Sequence, residues 1–140
     1  MREILFRGKR TDTGEWVEGY FEKYNGCAYM NLQTERLNSG GYPIREFVEV
    51  IPETLGQYTG LSDKNGKRIF ESDICRNTRT GEIVSVKWHG TMAGYVWSKR
   101  KENCKSLFDF GALFRAYDKY EVIGNIHDNP KLLKSEDQTQ

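Results

Sequence analysis

The sequence predicts a mainly β protein: small bent β-sheets or partial barrels, an SH3-like C-terminal part and at most one short helix. Three observations predict it. Short runs of alternating apolar and polar residues recur, as in residues 16–21 and 82–88, the pattern of half-buried strands. Asn25-Gly26 and Asn65-Gly66 are hairpin dipeptides, because both residue types accept the positive φ of a tight hairpin turn. Fourteen Gly against three Pro provide many further turns. Eight Tyr, seven Phe and three Trp supply large areas to bury.

Taken in order, Ile4 and Phe6 alternate with Glu3 and Arg7 as a first strand, and residues 12–15 read as a turn. Trp16, Glu18 and Tyr20 then share one face, with Val17, Gly19 and Phe21 on the other. After the Asn25-Gly26 turn, Ala28, Met30 and Leu32 continue as a third strand of a meander. Residues 33–42 are polar, end in Ser39-Gly40-Gly41, and read as a long surface loop. Residues 47–51 are β-rich and stop at Pro52. A hairpin about Asn65-Gly66 follows, then a strand from Asp73 running into a Thr80-Gly81 turn. Residues 82–88 are the clearest strand, with Val84, Val86 and Trp88 on one face. A turn within residues 90–94 leads to Tyr95-Val96-Trp97, a pattern that suits a strongly bent SH3-like barrel. In residues 105–117, Leu107, Phe110, Leu113, Phe114 and Tyr117 have helical spacing, while Phe108, Phe110 and Ala112 alternate; the expectation is a short helix. Residues 121–126 close the sheet.

These elements divide into an N-terminal β lobe over residues 1–52, a C-terminal SH3-like lobe over 53–133 and a polar tail over 134–140. A chain of 140 residues suits one ordinary domain, here with two lobes. The formal net charge of +1 gives no global pull toward nucleic acid or anionic membrane. Met1-Arg2-Glu3 leads straight into a strand, without the apolar stretch of a secretion signal, and no apolar run approaches spanning length. Cys27, Cys75 and Cys104 are odd in number and far apart, which fits free thiols in a reducing cytoplasm, acting as small buried hydrophobes.

The hairpin lies in the stretch Tyr58-Thr59-Gly60-Leu61, Asp63-Lys64-Asn65-Gly66-Lys67, Ile69-Phe70-Glu71-Ser72-Asp73-Ile74. With the opening Arg2-Glu3-Ile4-Leu5-Phe6-Arg7-Gly8 and the closing Glu121-Val122-Ile123-Gly124-Asn125-Ile126-His127-Asp128-Asn129-Pro130, it resembles the YopX-like family of phage and prophage proteins. The three blocks occur in the family's order and bracket nearly the whole chain. Ser72 stands where the family usually has Gly, which implies a shifted turn if that Gly has positive φ. The resemblance implies an uncharacterised phage or prophage accessory protein and transfers no catalytic residue.

Chemistry-bearing motifs are sparse. Asp63, Asn65, Gly66 and Glu71 mimic part of a calcium loop, but the ligand spacing of an EF-hand is missing. There is no nucleophile elbow, phosphate loop, dinucleotide fingerprint or zincin motif. His89 and His127 stand alone, without zinc spacing to the cysteines. A Cys-His pair is not forbidden by sequence distance, yet nothing near Cys75 or Cys104 marks an activated thiol. Glu71 and Asp73, two residues apart, belong on one strand face as a solvated strand end. No catalytic residue, metal or cofactor is assigned, and the chain is read as non-enzymatic.

Two binding classes stay open. Trp88, Tyr95, Trp97, Lys99, Arg100 and Lys101 interleave aromatics with cations, the combination that single-strand nucleic-acid binders use; His89, Arg76, Arg79 and Lys105 lie nearby in sequence. The leading expectation is a cytoplasmic binding or assembly module that forms a homo-oligomer, with nucleic acid or other phage or host proteins as further partners and no membrane. For that class, Trp16, Tyr20, Tyr24, Tyr29 and Tyr42 are candidate interface aromatics.

Overall fold

The computed structural model describes residues 3–90, 93–99, 110–112 and 117–133; for Gln33, Lys99 and residues 110–112 it describes backbone alone. The strands are β1 (Phe6–Lys9), β2 (Trp16–Tyr24), β3 (Cys27–Leu37), β4 (Pro43–Val50), β5 (Gly56–Ser62), β6 (Arg68–Phe70), β7 (Asp73–Asn77), β8 (Ile83–His89), β9 (Gly94–Lys99), β10 (Phe110–Ala112) and β11 (Tyr120–Asn125). Short 3-10 turns occur at Pro52–Thr54, Tyr117–Lys119 and Pro130–Leu133. The protein is mainly β, and its strands form open antiparallel sheets. Two compact units, Met1–Gln57 and Tyr58–Gln140, meet in the chain within β5.

The first unit carries the order β4-β3-β2-β1-β5. Its meander is dictated by turns. Asn25 (φ 49°) and Gly26 (φ 79°) both take positive φ, which matches the hairpin twist between β2 and β3. β2 changes partner midway: residues 16–19 pair with β1 and residues 20–24 with β3. Gly19 sits at the change, where a Cβ would lie 2.7 Å from the Asn31 carbonyl oxygen. The inward set Ala28, Met30, Val48 and Val50 is buried, with Phe6, Val17, Phe21, Leu32 and Leu55 packed against it.

Residues 33–42 are not a long loop. β3 continues to Leu37, which pairs with Pro43 after a register shift, and only the turn at Asn38 separates β3 from β4. The Asn38 side-chain oxygen accepts the N–H groups of Gly40 (2.9 Å) and Tyr42 (3.0 Å). The polar composition reflects a strand end with little to bury, which sequence alone reads as a loop.

The second unit contains the β5–β6 hairpin and a sheet ordered β10-β9-β8-β7-β11. Ile69, Cys75, Val84, Val86 and Tyr120 form its buried centre, and Leu61, Tyr95, Trp97, Tyr117 and Val122 pack against it. In residues 105–117 the alternation prevails where it can be seen. Phe110–Ala112 is a strand paired with β9 through Phe110–Ser98, Gly111–Trp97 and Ala112–Val96, not part of a helix. The β9 edge supplies backbone partners that a helix does not need. Residues 105–109 and 113–116, and the tail 134–140, lie outside the described residues.

Two further expectations change. The turn at Ser72 is not shifted: Ser72 itself takes φ 73°. Its N–H donates to the Val86 carbonyl (2.8 Å) and its carbonyl accepts from the Ile126 N–H (2.9 Å). Held from both sides, the backbone keeps a left-handed conformation that is unfavourable for a residue with a Cβ. The aromatics expected to supply much of the core lie mainly around its centre, where Phe6, Phe21, Tyr95, Trp97 and Tyr117 pack against the buried sets. Among the described residues only Phe70 and Tyr120 are buried aromatics, and the largest fully buried side chains are aliphatic.

Ser72→Gly is therefore expected to raise stability by about 0.5–1 kcal/mol, strain relief outweighing the added unfolded-state entropy; an unchanged or lower urea midpoint would contradict this. Gly19→Ala is expected to lower stability by about 1–3 kcal/mol, because backbone must move to admit the methyl group. The same urea titration measures it, and a neutral result would mean that β2 can bend elsewhere.

Candidate functional site

Strand alternation puts Trp16, Glu18, Tyr20, Glu22 and Tyr24 on the outward face of β2. Register extends that face sideways. Tyr20 pairs with Asn31, which pairs with Phe47; Glu22 pairs with Tyr29, which pairs with Glu49; Tyr24 pairs with Cys27. Tyr20 (59 %), Tyr24 (69 %) and Phe47 (53 %) are strongly exposed. Trp16 is half-buried beneath two cations: the Arg7 guanidinium lies 4.8 Å from the ring centroid and the Lys9 ammonium 5.8 Å. Such contacts hold a ring in place and add attraction to its face. Tyr29 is half-buried, and Cys27 beside it, with desolvation second, raises the pKa of its hydroxyl above the ordinary tyrosine value. The face therefore presents neutral aromatic surface bordered by the exposed carboxylates of Glu18, Glu22 and Glu49.

Four of the five predicted interface aromatics, Trp16, Tyr20, Tyr24 and Tyr29, share this face; Tyr42 lies in the β3–β4 turn, 71 % exposed. Phe47 belongs to the same face although its sequence context suggested only a β-rich segment. The signal available was its alternation with Val48 and Val50, which face inward.

The polar residues of the second unit serve its backbone. Asp63, 6 % exposed, accepts the N–H groups of Asn65 (2.8 Å) and Lys67 (2.9 Å) on one carboxylate oxygen and that of Val122 (2.8 Å) on the other. Asp73, 1 % exposed, accepts the Phe70 N–H (2.7 Å). Glu71 lies in the turn before β7, so Glu71 and Asp73 are not two carboxylates on one strand face. Asp73 turns inward because the tight β6–β7 connection needs an acceptor there. Burial, with Asp73 and Asp63 nearby, pushes the Cys75 thiol pKa up to about 12. Cys27 is a free, half-buried thiol, and Cys104 lies outside the described residues. Among the described residues no group of three or more His, Cys, Asp and Glu side chains converges as a metal site would require.

Of the proposed nucleic-acid surface, Trp88, Tyr95 and Trp97 share one face of the second sheet. Trp88 is 52 % exposed and meets Tyr95 edge-on at 5.1 Å. Tyr95 and Trp97 pack against the core, with Trp97 6.3 Å from the Tyr120 ring. Lys99 ends β9, described in backbone only, while Arg100, Lys101 and Lys105 lie outside the described residues. Arg76 is paired with Glu121. Trp88 is thus the exposed end of an aromatic row that is otherwise partly core.

No described helix is long and apolar enough to cross a membrane. Fold and surfaces together define a mainly β protein of two open-sheet units, with an aromatic outer face on the first. A family model described as YopX protein matches residues 5–134, and the chain belongs to that family. A solved structure, protein EF1440 from Enterococcus faecalis, is similar in fold: 24 % identical, covering 96 % of this chain and 100 % of that one, with a TM-score of 0.53. No curated protein matches the sequence.

Asp63→Ala is expected to cost about 2–4 kcal/mol, since the N–H groups it receives lose a charged acceptor. Thermal and urea unfolding measure the loss, and a change below the error of the titration would contradict the assignment. A thiol whose pKa is about 12 is almost wholly protonated at pH 8, and only the thiolate reacts. Native iodoacetamide labelling at pH 8, read by peptide mass spectrometry, is therefore expected to modify Cys27 and spare Cys75. Rapid native modification of Cys75 would reopen a nucleophilic role.

Proposed function

We propose that this chain is a non-enzymatic binding or assembly module, a phage- or prophage-derived accessory protein of the host cytoplasm, that self-associates through its N-terminal unit. One observation carries the reading. Tyr20 and Phe47 stand exposed on one cross-strand row, on either side of Asn31, and Tyr24 lies further along β2 on the same face. Exposed aromatics gathered on one sheet face are interface material, because they bury large rigid areas at low entropic cost. The signature carboxylates support the non-enzymatic part, since Asp63 and Asp73 accept backbone N–H groups instead of facing a cleft. Phage or prophage origin and the cytoplasmic setting rest on the family resemblance and on free thiols.

A second reading, nucleic-acid binding, is favoured by the exposed ring of Trp88 beside Tyr95. Its remaining parts are Trp97, Lys99, Arg100 and Lys101.

Sedimentation velocity from low micromolar to submillimolar protein tests the first reading; a defined oligomer is expected, and a monomer throughout would remove self-association. Fluorescence anisotropy with labelled single-stranded DNA, double-stranded DNA and RNA tests the second. Tight, salt-sensitive binding abolished by a combined Lys99→Ala, Arg100→Ala and Lys101→Ala variant would make nucleic acid the primary partner.

A further inference from the structure

The β4 edge carries a more specific inference, which rests on the self-association proposed above. β4 pairs with β3 along one side. On its other side, among the described residues, only its C-terminal end is covered: Arg10 bridges Val50, the Thr11 N–H donates to the Glu49 carbonyl (3.1 Å) and the Ile51 N–H donates to the Lys9 carbonyl (2.8 Å). Glu49 and Ile51 therefore aim their backbone groups away from β3. Antiparallel strands alternate in this respect, so Phe47 and Arg45 aim theirs the same way. The Ile44 carbonyl, of the other parity, accepts the Thr34 hydroxyl on β3 (2.6 Å), as the alternation requires. Pro43 limits the free stretch at one end and the Lys9–Thr11 crossover at the other.

We propose that this edge pairs with the same edge of a second copy, antiparallel about a two-fold axis at Glu46. Centring on Ile44 sets Arg45 against Pro43, and centring on Val48 sets Phe47 against Glu49 of the second copy, partners without a free N–H or carbonyl; three other registers place outward-aimed residues opposite one another. Centring on Phe47 sets Arg45 against Glu49 of the second copy, where the crossover already occupies the carbonyl. Centring on Arg45 sets two guanidinium groups face to face and sets Phe47 against Pro43, which has no N–H to give. Centring on Glu46 pairs Arg45 with Phe47 of the second copy at both ends. Each such pair exchanges both backbone hydrogen bonds. Arg45 then lies against an exposed aromatic ring, so attraction of cation to ring agrees with the ladder, while its two diagonal neighbours, Glu49 and Arg45 of the second copy, have opposite signs and offset one another. The two Glu46 carboxylates meet directly across the axis and repel, each partly offset by the favourable charge interaction with its own Arg10, so the register is chosen by its backbone bonds and not by that pair. The edge carries no lysine, and its ladder with β3 runs without a register shift from Arg45 to Val50, so two devices that commonly blunt a free strand are missing there.

The test compares the full-length wild type with Phe47→Lys and Phe47→Pro by sedimentation velocity. Phe47 donates its N–H outward, so even the proline variant keeps the β3 ladder, and circular dichroism checks its fold. Both variants are expected to weaken the dimer by at least about tenfold, while Glu53→Gln, exposed in the Pro52–Thr54 turn and outside the aromatic face, leaves it unchanged. Glu46 and its copy form a close non-hydrogen-bonded pair in this register, within disulfide reach. Glu46→Cys is therefore expected to give a covalent dimer under mild oxidation, linked through the introduced thiols, and Glu49→Cys none. An oligomer untouched by the Phe47 variants would overturn the edge while leaving self-association standing. A wild type monomeric at every concentration would overturn both.

Discussion

Asp63 holds together the second unit. Its carboxylate closes the Asn65-Gly66 turn from one oxygen and receives Val122 of β11 on the other. A residue near the middle of the chain thus fixes both a local hairpin and a strand 59 positions away. The neighbouring Lys64 N–H adds a bond to the Tyr120 carbonyl (3.1 Å). Charge-assisted bonds to backbone donors are stronger than neutral ones, and here they join elements that the sheet ladder alone does not pair. The hairpin packs Leu61 and Ile69 against the sheet's core, so losing the clamp exposes apolar surface as well as N–H groups.

The same economy of connections explains Ser72. The chain turns between β6 and β7 within two residues, Asp73 caps the Phe70 N–H, and the Ser72 backbone bonds Val86 and Ile126. These contacts outweigh the preference of a serine for negative φ. Asp63 and Asp73, suggestive of chemistry in a linear reading, are structural acceptors demanded by tight connections between short strands.

Much of the architecture was legible because hairpin chemistry is local. Asn25-Gly26 and Asn65-Gly66 announce their turns, and Val84 and Val86 announce their strand. What failed had non-local causes. The end of β3 is polar because it is a two-stranded extension with little core to cover, so only its pairing with β4 reveals a strand. Phe110–Ala112 is a strand because β9 offers an edge, which no window of sequence contains. The outer face was half legible: alternation in β2 placed Trp16, Tyr20 and Tyr24 together, but Phe47 joins Tyr20 only through the β2–β3–β4 register. The basic half of the Trp88 surface is not placed by the described residues, so sequence remains its whole support.

The position of the aromatics is the step that connects fold to function. Aliphatic side chains fill the buried centres, with Met30, Ile69, Ile74, Val50, Val84, Val86 and Val96 enclosed completely. A core of that kind does not need Tyr20, Tyr24, Phe47 or Trp88, and those rings remain outside at half exposure or more. Exposed apolar area on an isolated chain costs hydration free energy and invites aggregation unless something covers it. In the first unit the exposed rings adjoin a strand edge whose backbone groups point outward. Side-chain surface and main-chain hydrogen bonding are therefore available in one place. That combination is what a sheet needs to extend into another chain, and it is why the proposed self-association is placed in the unit that lacks the family's densest sequence signature.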